Sequence, residues 1–261
     1  MTAQASLAAA YSLSADAWTR GPTRLYGRLA ELLVAASPVS FDGALVLDLG
    51  AGTGVGSRAA AAAGARVIAV DLALGMLVAD RERRPPAIVG DALALPFASG
   101  GFDVVLAPFC LNHLSEPSAG VAEAARVLRP RGVLLASTYA ADDDHVVKAA
   151  VDQALSEAGW AAPDWYGEVK AAMVSWGTVE AATAAIERGG MAPVLVERRE
   201  VTFPELTPLD LVAWRLGMAH TAPFVAGLDR LRRDDVVQRA LDLLGPDPPP
   251  LVRRVIFVAA V

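Results

Sequence analysis

Val46-Leu47-Asp48-Leu49-Gly50-Ala51-Gly52-Thr53-Gly54 is the stretch on which the reading of the fold turns. Branched apolar residues broken by one acid read as a buried strand, and three alternate glycines then lead into an alanine-rich helical segment. Without β-carbons, Gly50, Gly52 and Gly54 let a ligand lie directly on the backbone, with the amides of the next helix aimed at it. The pattern is that of a nucleotide-type site at the carboxyl end of the first strand; the plainer alternative is a tight strand-to-helix turn with no ligand. A dinucleotide fingerprint G-x-G-x-x-G fails, because its last glycine falls on Val55 counted from Gly50 and on Ser57 counted from Gly52. Asp48 repels a phosphate but can hold a cationic or amino-bearing ligand.

Outward from this stretch, short β-branched runs alternate with alanine-rich segments, the pattern of βαβ units and a parallel sheet covered on both faces. Strands are expected at Leu45–Leu49, Arg66–Asp71, Ala87–Val89, Phe102–Ala107 and Val133–Tyr139, with helices near Gly54–Ala63, Ala73–Arg83 and Ser118–Leu128. Beyond Tyr139, Asp142-Asp143-Asp144-His145 opens a helical region to about Glu157, the acids placed to cap it and His145 solvated. A helix near Thr178–Gly189, a strand near Val194–Phe203, helices within Thr207–Leu244 and a last strand at Val252–Ala260 follow. Residues 1–43 thus read as a helical leader, 44–140 as the ligand-binding core, and 141–261 as the rest of the same domain with helical insertions at about 141–177 and 207–244. Trp160, Trp165, Tyr166, Trp176, Trp214 and Phe224 all fall outside the expected sheet, as a lid over an apolar pocket would.

Composition narrows the partners. Apolar residues are 54% of the 261 and charged ones 20%, enough to bury a sizeable core and far from a disordered chain. No run approaches the roughly 18 apolar residues of a membrane span, and the first residues lack a secretory pattern, so a cytoplasmic location is expected. A net charge of −6 disfavours nucleic acid as a partner. Cys110 is the sole cysteine, expected to pack as a small apolar side chain, with neither a disulfide nor a zinc site. Only Lys148 and Lys170 among the basic residues are lysines, which reads as genome composition.

Taken with Val67-Ile68-Ala69-Val70-Asp71, Gly90-Asp91-Ala92-Leu93-Ala94-Leu95-Pro96-Phe97, Phe102-Asp103-Val104-Val105 and the turn Arg126-Val127-Leu128-Arg129-Pro130-Arg131-Gly132, the glycine stretch resembles the class I S-adenosylmethionine (SAM)-dependent methyltransferases. The closest likeness is to the small-molecule branch of the ubiquinone and menaquinone biosynthesis type, with a type 11-like domain, over about residues 45–139. The resemblance implies an α/β Rossmann-like sheet of order 3-2-1-4-5-7-6 with its last strand antiparallel, SAM as cofactor, S-adenosylhomocysteine (SAH) as product, and no metal. It implies that Asp71 takes both ribose hydroxyls, that Leu72 and Met76 flank the adenine and that Asp91 accepts from its amino group. Asp48, Gly50, Ala51, Gly52, Gly54, Ala92, Ala107 and Asn112 complete the implied cofactor set.

His113, just beyond the fourth strand, is the candidate acid–base residue; substrate contact, base and structural hydrogen bond all stay open. Tyr11 matches a leader tyrosine that closes over the methyl group in relatives, Arg20 and Arg24 are candidates for the cofactor carboxylate, and His220 is a substrate-pocket candidate. Glu123 and Arg126 read as an ordinary surface pair. The fourth strand runs on through Ala107-Pro108-Phe109-Cys110, lacking the Asn/Asp-Pro-Pro-aromatic signature of enzymes that methylate planar nitrogens, and it offers no carboxylate for magnesium. The expected reaction is in-line methyl transfer to O, C or N of a small, largely hydrophobic metabolite. A SAM-binding or partner-binding module without catalysis, and an NAD-dependent oxidoreductase, are the alternatives. Oligomeric state is left open, a homodimer included.

Overall fold

The computed structural model describes residues 3–174 and 176–261. Seven strands, β1 (Leu45–Leu49), β2 (Arg66–Asp71), β3 (Ala87–Val89), β4 (Phe102–Pro108), β5 (Leu128–Tyr139), β6 (Pro193–Phe203) and β7 (Leu251–Ala260), make one sheet of order β3-β2-β1-β4-β5-β7-β6. Neighbours from β3 to β5 pair in parallel, and β7 lies antiparallel between β5 and β6. The order matches the one the methyltransferase resemblance implies. It reverses direction between β1 and β4, and that switch point is where an open α/β sheet leaves a crevice at its carboxyl edge.

Helices cover both faces. The leader forms α1 (Ala3–Arg20) and α2 (Pro22–Ala35), and the βα units contribute α3 (Val55–Ala62), α4 (Leu74–Ala79) and α5 (Pro117–Val127). Beyond β5 come α6 (Val146–Glu157), α7 (Asp164–Val174) and α8 (Val179–Arg188), and between β6 and β7 lie α9 (Pro208–Leu216), α10 (Ala222–Gly227) and α11 (Arg230–Leu244). Strand alternation divides the core: Val46, Val104, Leu106 and Val133 pack with the leader, α6 and α9, whereas Leu47, Leu49, Val105 and Leu134 pack with α5 and α8. Both sets are almost wholly buried, which is why β1 and β4 read as apolar runs each broken by a single acid.

Two elements differ in their bounds from the sequence expectation, and the expected helical leader resolves into two helices. They divide at Gly21-Pro22, where a β-carbon on Gly21 would sit 2.4 Å from the Ala213 carbonyl oxygen of α9. α4 ends at Ala79 rather than near Arg83, and the adjoining Asp80 pairs with Arg58 at 2.9 Å. β5 begins at Leu128, not Val133, because Leu128 already pairs with Phe102 across an irregular register.

Candidate cofactor and acceptor site

A cavity of about 670 Å³ opens at the carboxyl ends of β1, β2 and β4, with Gly50, Ala51, Gly52 and Asp71 in its wall and residues of α1 across it. All three loop glycines are left-handed, at φ 67°, 54° and 86° for Gly50, Gly52 and Gly54, a conformation that L-residues with side chains rarely hold. A β-carbon on Gly50 would fall 2.6 Å from Cys110 Sγ. The space a side chain would need at Gly50 is therefore taken by Cys110, while the Gly50 backbone stays in the cavity wall. Burial pushes the Cys110 thiol far up, so the sulfur packs as a neutral group.

Asp71, at the end of β2, ties this loop to its neighbour: Gly52 N–H donates to Oδ2 at 2.7 Å and Ala73 N–H donates to Oδ1 at 2.7 Å. Burial raises its pKa, and the amides of Ala73, Gly52 and Leu72 oppose that rise by stabilising the carboxylate. Each oxygen keeps a lone pair, so a vicinal diol meets two acceptors. Leu72, Met76 and Ala92 line the same wall. Asp91 accepts from Gln4 Nε2 at 3.0 Å and Leu93 N–H at 2.9 Å, both on Oδ1. The loop after Asp91 is held from behind by the supposed surface pair: Leu95 N–H donates to Glu123, and Arg126 donates to the carbonyls of Phe97 at 2.8 Å and Leu95 at 3.1 Å.

The leader closes over this end. Tyr11 OH lies 3.2 Å from His113 Nε2, and Ser12 Oγ accepts from Gly75 N–H of α4 at 3.2 Å. Burial lowers the His113 pKa to about 4, so the ring is neutral at pH 7 and a weak base. Beside it, Asn112 is buried and its Oδ1 has no protein partner.

Three residues of the implied cofactor set do not line the cavity. Asp48 is fully buried beneath α3, where Ser57 Oγ donates to its Oδ2 at 2.6 Å; burial raises its pKa to about 6. Gly54 is the N-cap of α3, facing Arg84, and Ala107 is buried within β4. Nor does the cavity include Arg20 or Arg24, the latter paired with Asp210 at 3.1 Å.

The far end of the cavity joins His220 and aromatics of the expected lid to charged residues that the sequence left without a site role. Asp143 does not cap α6; it takes two guanidinium bonds from Arg253 of β7, at 3.0 and 2.6 Å, and His145 supplies the cap by accepting from Val147 N–H. Arg215 of α9 grips Asp152 of α6 at 2.9 and 2.7 Å. His220 stacks on Tyr166 of α7, ring centroids 3.9 Å apart, and both line the cavity. Of the aromatic set, Trp165, Tyr166 and Trp214 also reach it, whereas Trp176 is wholly buried core. A charged Arg253 inside the apolar run Leu251–Ala260 was the available signal for this end of the site.

Strand order, glycine loop and acid-terminated β2 define the fold and cofactor edge of a class I SAM-dependent methyltransferase. A methyltransferase domain model matches residues 47–136. The demethylmenaquinone methyltransferase of Renibacterium salmoninarum is 41% identical over 131 residues, covering 49% of this chain and 54% of that one. That of Mycolicibacterium gilvum is 32% identical over 191 residues, covering 70% of this chain and 82% of its own. The chain therefore spans about half the length of the first relative and most of the second, and it belongs to this methyltransferase family. The same fold occurs in Haemonchus contortus phosphoethanolamine N-methyltransferase 2 in complex with S-adenosyl-L-methionine, with a TM-score of 0.55 at 22% identity, over 88% of this chain and 51% of that one. Among the described residues no three His, Cys, Asp or Glu side chains gather as a metal site would need, and no helix is long and apolar enough to cross a membrane.

Proposed function

We propose that this chain transfers the methyl group of SAM to a small, flat, mainly apolar acceptor held between α1, α7 and α9. The observation that carries the proposal is Asp71: its carboxylate is half-buried in the cavity wall, fixed by two amides and still able to accept from two hydroxyls. Asp71 would hold the ribose, Asp91 the adenine amino group, and Leu72 and Met76 the adenine faces. Bound there, SAM supplies a sulfonium-activated methyl group that an acceptor atom displaces in line, leaving SAH.

Positioning is the main contribution asked of the protein. Holding two reactants in attack geometry is worth up to about 7–11 kcal/mol in model systems. Tyr11 and His113, bonded to each other on the cavity wall, would orient the acceptor and exclude water. A neutral His113 with a pKa of about 4 favours this orienting role over that of a strong base.

Membership of the family does not by itself name the acceptor. The domain match ends at residue 136, while Asp143, Lys148, Lys170, Arg215, His220 and Arg253 lie beyond it. The test is to incubate the protein with methyl-14C-labelled SAM and a small-molecule extract of its source cells. Radiolabel in an organic-extractable product, lost with Asp71→Ala, supports methyl transfer. SAH binding without any transfer of label would make the chain a binding module.

A further inference from the structure

We propose that the acceptor carries an anionic oxygen, a carboxylate or an ionised enol or phenol, and that Arg253 binds it at the far end of the cavity. This rests on the methyltransferase reading above and specifies its substrate class.

Arg253 is 2% exposed and lines the cavity. Its Nε and Nη2 donate to Asp143, and its guanidinium lies between the rings of Tyr139 and Trp214, at 3.8 and 4.6 Å from their centroids. The third nitrogen, Nη1, is buried with no partner in the protein. Anchoring Asp143 explains two of the three nitrogens and leaves this one unexplained. A buried, unpaired charged donor is destabilising, and a ligand oxygen would relieve it. Beside it, Trp214 Nε1 is also buried without a partner, while the Tyr139 hydroxyl bonds to Tyr26; Tyr139 and Trp214 both line the cavity. Two unfilled donors thus belong to residues lining one cavity, which suits an acceptor-only group such as a carboxylate or phenolate.

Charge in the cavity is divided accordingly. Its cofactor end has Asp71 and Asp91 with no lining cation, matching a cationic cofactor. Its far end has Lys148, Lys170, Arg215 and Arg253 against Asp143, Asp144 and Asp152, a surplus of one positive charge. The chain's only two lysines are both in that set. Arg253 stands on β7, three strands from β1, so roughly 14 Å of sheet separates it from the glycine loop at the usual strand spacing. That places it across an acceptor's length from the glycine loop. The chemistry agrees: the neutral Tyr11–His113 pair offers no strong base, and an acceptor that arrives ionised needs none.

The test is calorimetric titration of the SAH-saturated full chain at pH 7.5 with 2-naphthoate and with its neutral counterpart 2-naphthylmethanol. The expected result is at least tenfold tighter binding of the naphthoate, a preference that Arg253→Gln abolishes. Because Arg253 also anchors Asp143, Trp214→Phe and Lys170→Met, which leave that ion pair intact, are measured beside it; each should lower the preference threefold or more. Equal binding of the two probes, no naphthoate binding at millimolar concentration, or a preference unchanged in Arg253→Gln overturns the proposal. So does an equal loss of SAH affinity in Arg253→Gln, which would assign the guanidinium to the cofactor. Failure of the wild-type chain to bind SAH would instead strike the methyltransferase reading, and the two probes, run without SAH, would still report on the anion site.

Discussion

Gly52 N–H donates to Asp71 Oδ2 at 2.7 Å, joining the loop after β1 to the acid that ends β2. One carboxylate therefore shapes the glycine loop and faces the cavity. Asp71→Ala should weaken SAH binding by about 1–3 kcal/mol, roughly 5- to 150-fold in Kd. Asp71→Asn, which keeps one acceptor oxygen, should fall between. Calorimetry on the two variants checks this, and an unchanged Kd in Asp71→Ala removes the ribose role.

Tyr11 and His113 make a neutral pair. With the His113 pKa near 4, its protonation contributes nothing to a rate profile between pH 6 and 8. His113→Ala should lower kcat by roughly tenfold and leave the shape of that profile unchanged, since a positioning role is lost rather than a base. An acidic limb with an apparent pKa near 6.5 that vanishes in His113→Ala would contradict the pairing.

Leader closure depends on a close approach between α1 and α4. A β-carbon on Gly75 would lie 2.4 Å from the Ser12 carbonyl oxygen. Gly75→Ala should therefore push the leader off the cavity and speed SAH release severalfold. Trypsin cleavage after the exposed Arg20 reports it: SAH should protect the wild type more strongly than the variant. Equal protection would show that the leader does not cover the cofactor.

Asp48 makes stability depend on pH. Its folded pKa of about 6 is above the ordinary 3.8, so between these values the folded chain binds more protons than the unfolded one, and this group's contribution falls as pH rises through the window. The full effect is on the order of 3 kcal/mol. Asp48→Asn retains an acceptor for Ser57 and should melt a few degrees above wild type at pH 7.5, the difference shrinking through the window and vanishing only below about pH 3.8. A pH-independent difference would show that Asp48 ionises freely in the fold.

The cofactor half was legible because its determinants are local. Strand alternation, the glycines and the acids ending β2 and β3 all lie within short windows, and every strand fell within a few residues of its expected place. The direction of Asp48 was not legible, since a strand residue can face either helix layer and only packing places it under Ser57. The acceptor half hid for a different reason. Arg253 finds Asp143 across 110 positions, and Arg215 finds Asp152 across 63, pairings that no short-range periodicity encodes. α7 falls inside the helical insertion expected over about 141–177, but its bounds were not legible because Pro163 and Gly167 break the helical pattern locally, while Val169 is buried by contacts made elsewhere in the fold.

The most direct measurement is titration of the intact chain with SAH, followed by a structure of the complex. The account predicts saturable one-to-one binding at micromolar concentration, with the ribose on Asp71, the adenine amino group near Asp91, and Arg253 free of the ligand. No binding, or a nucleoside seated away from both acids, contradicts it.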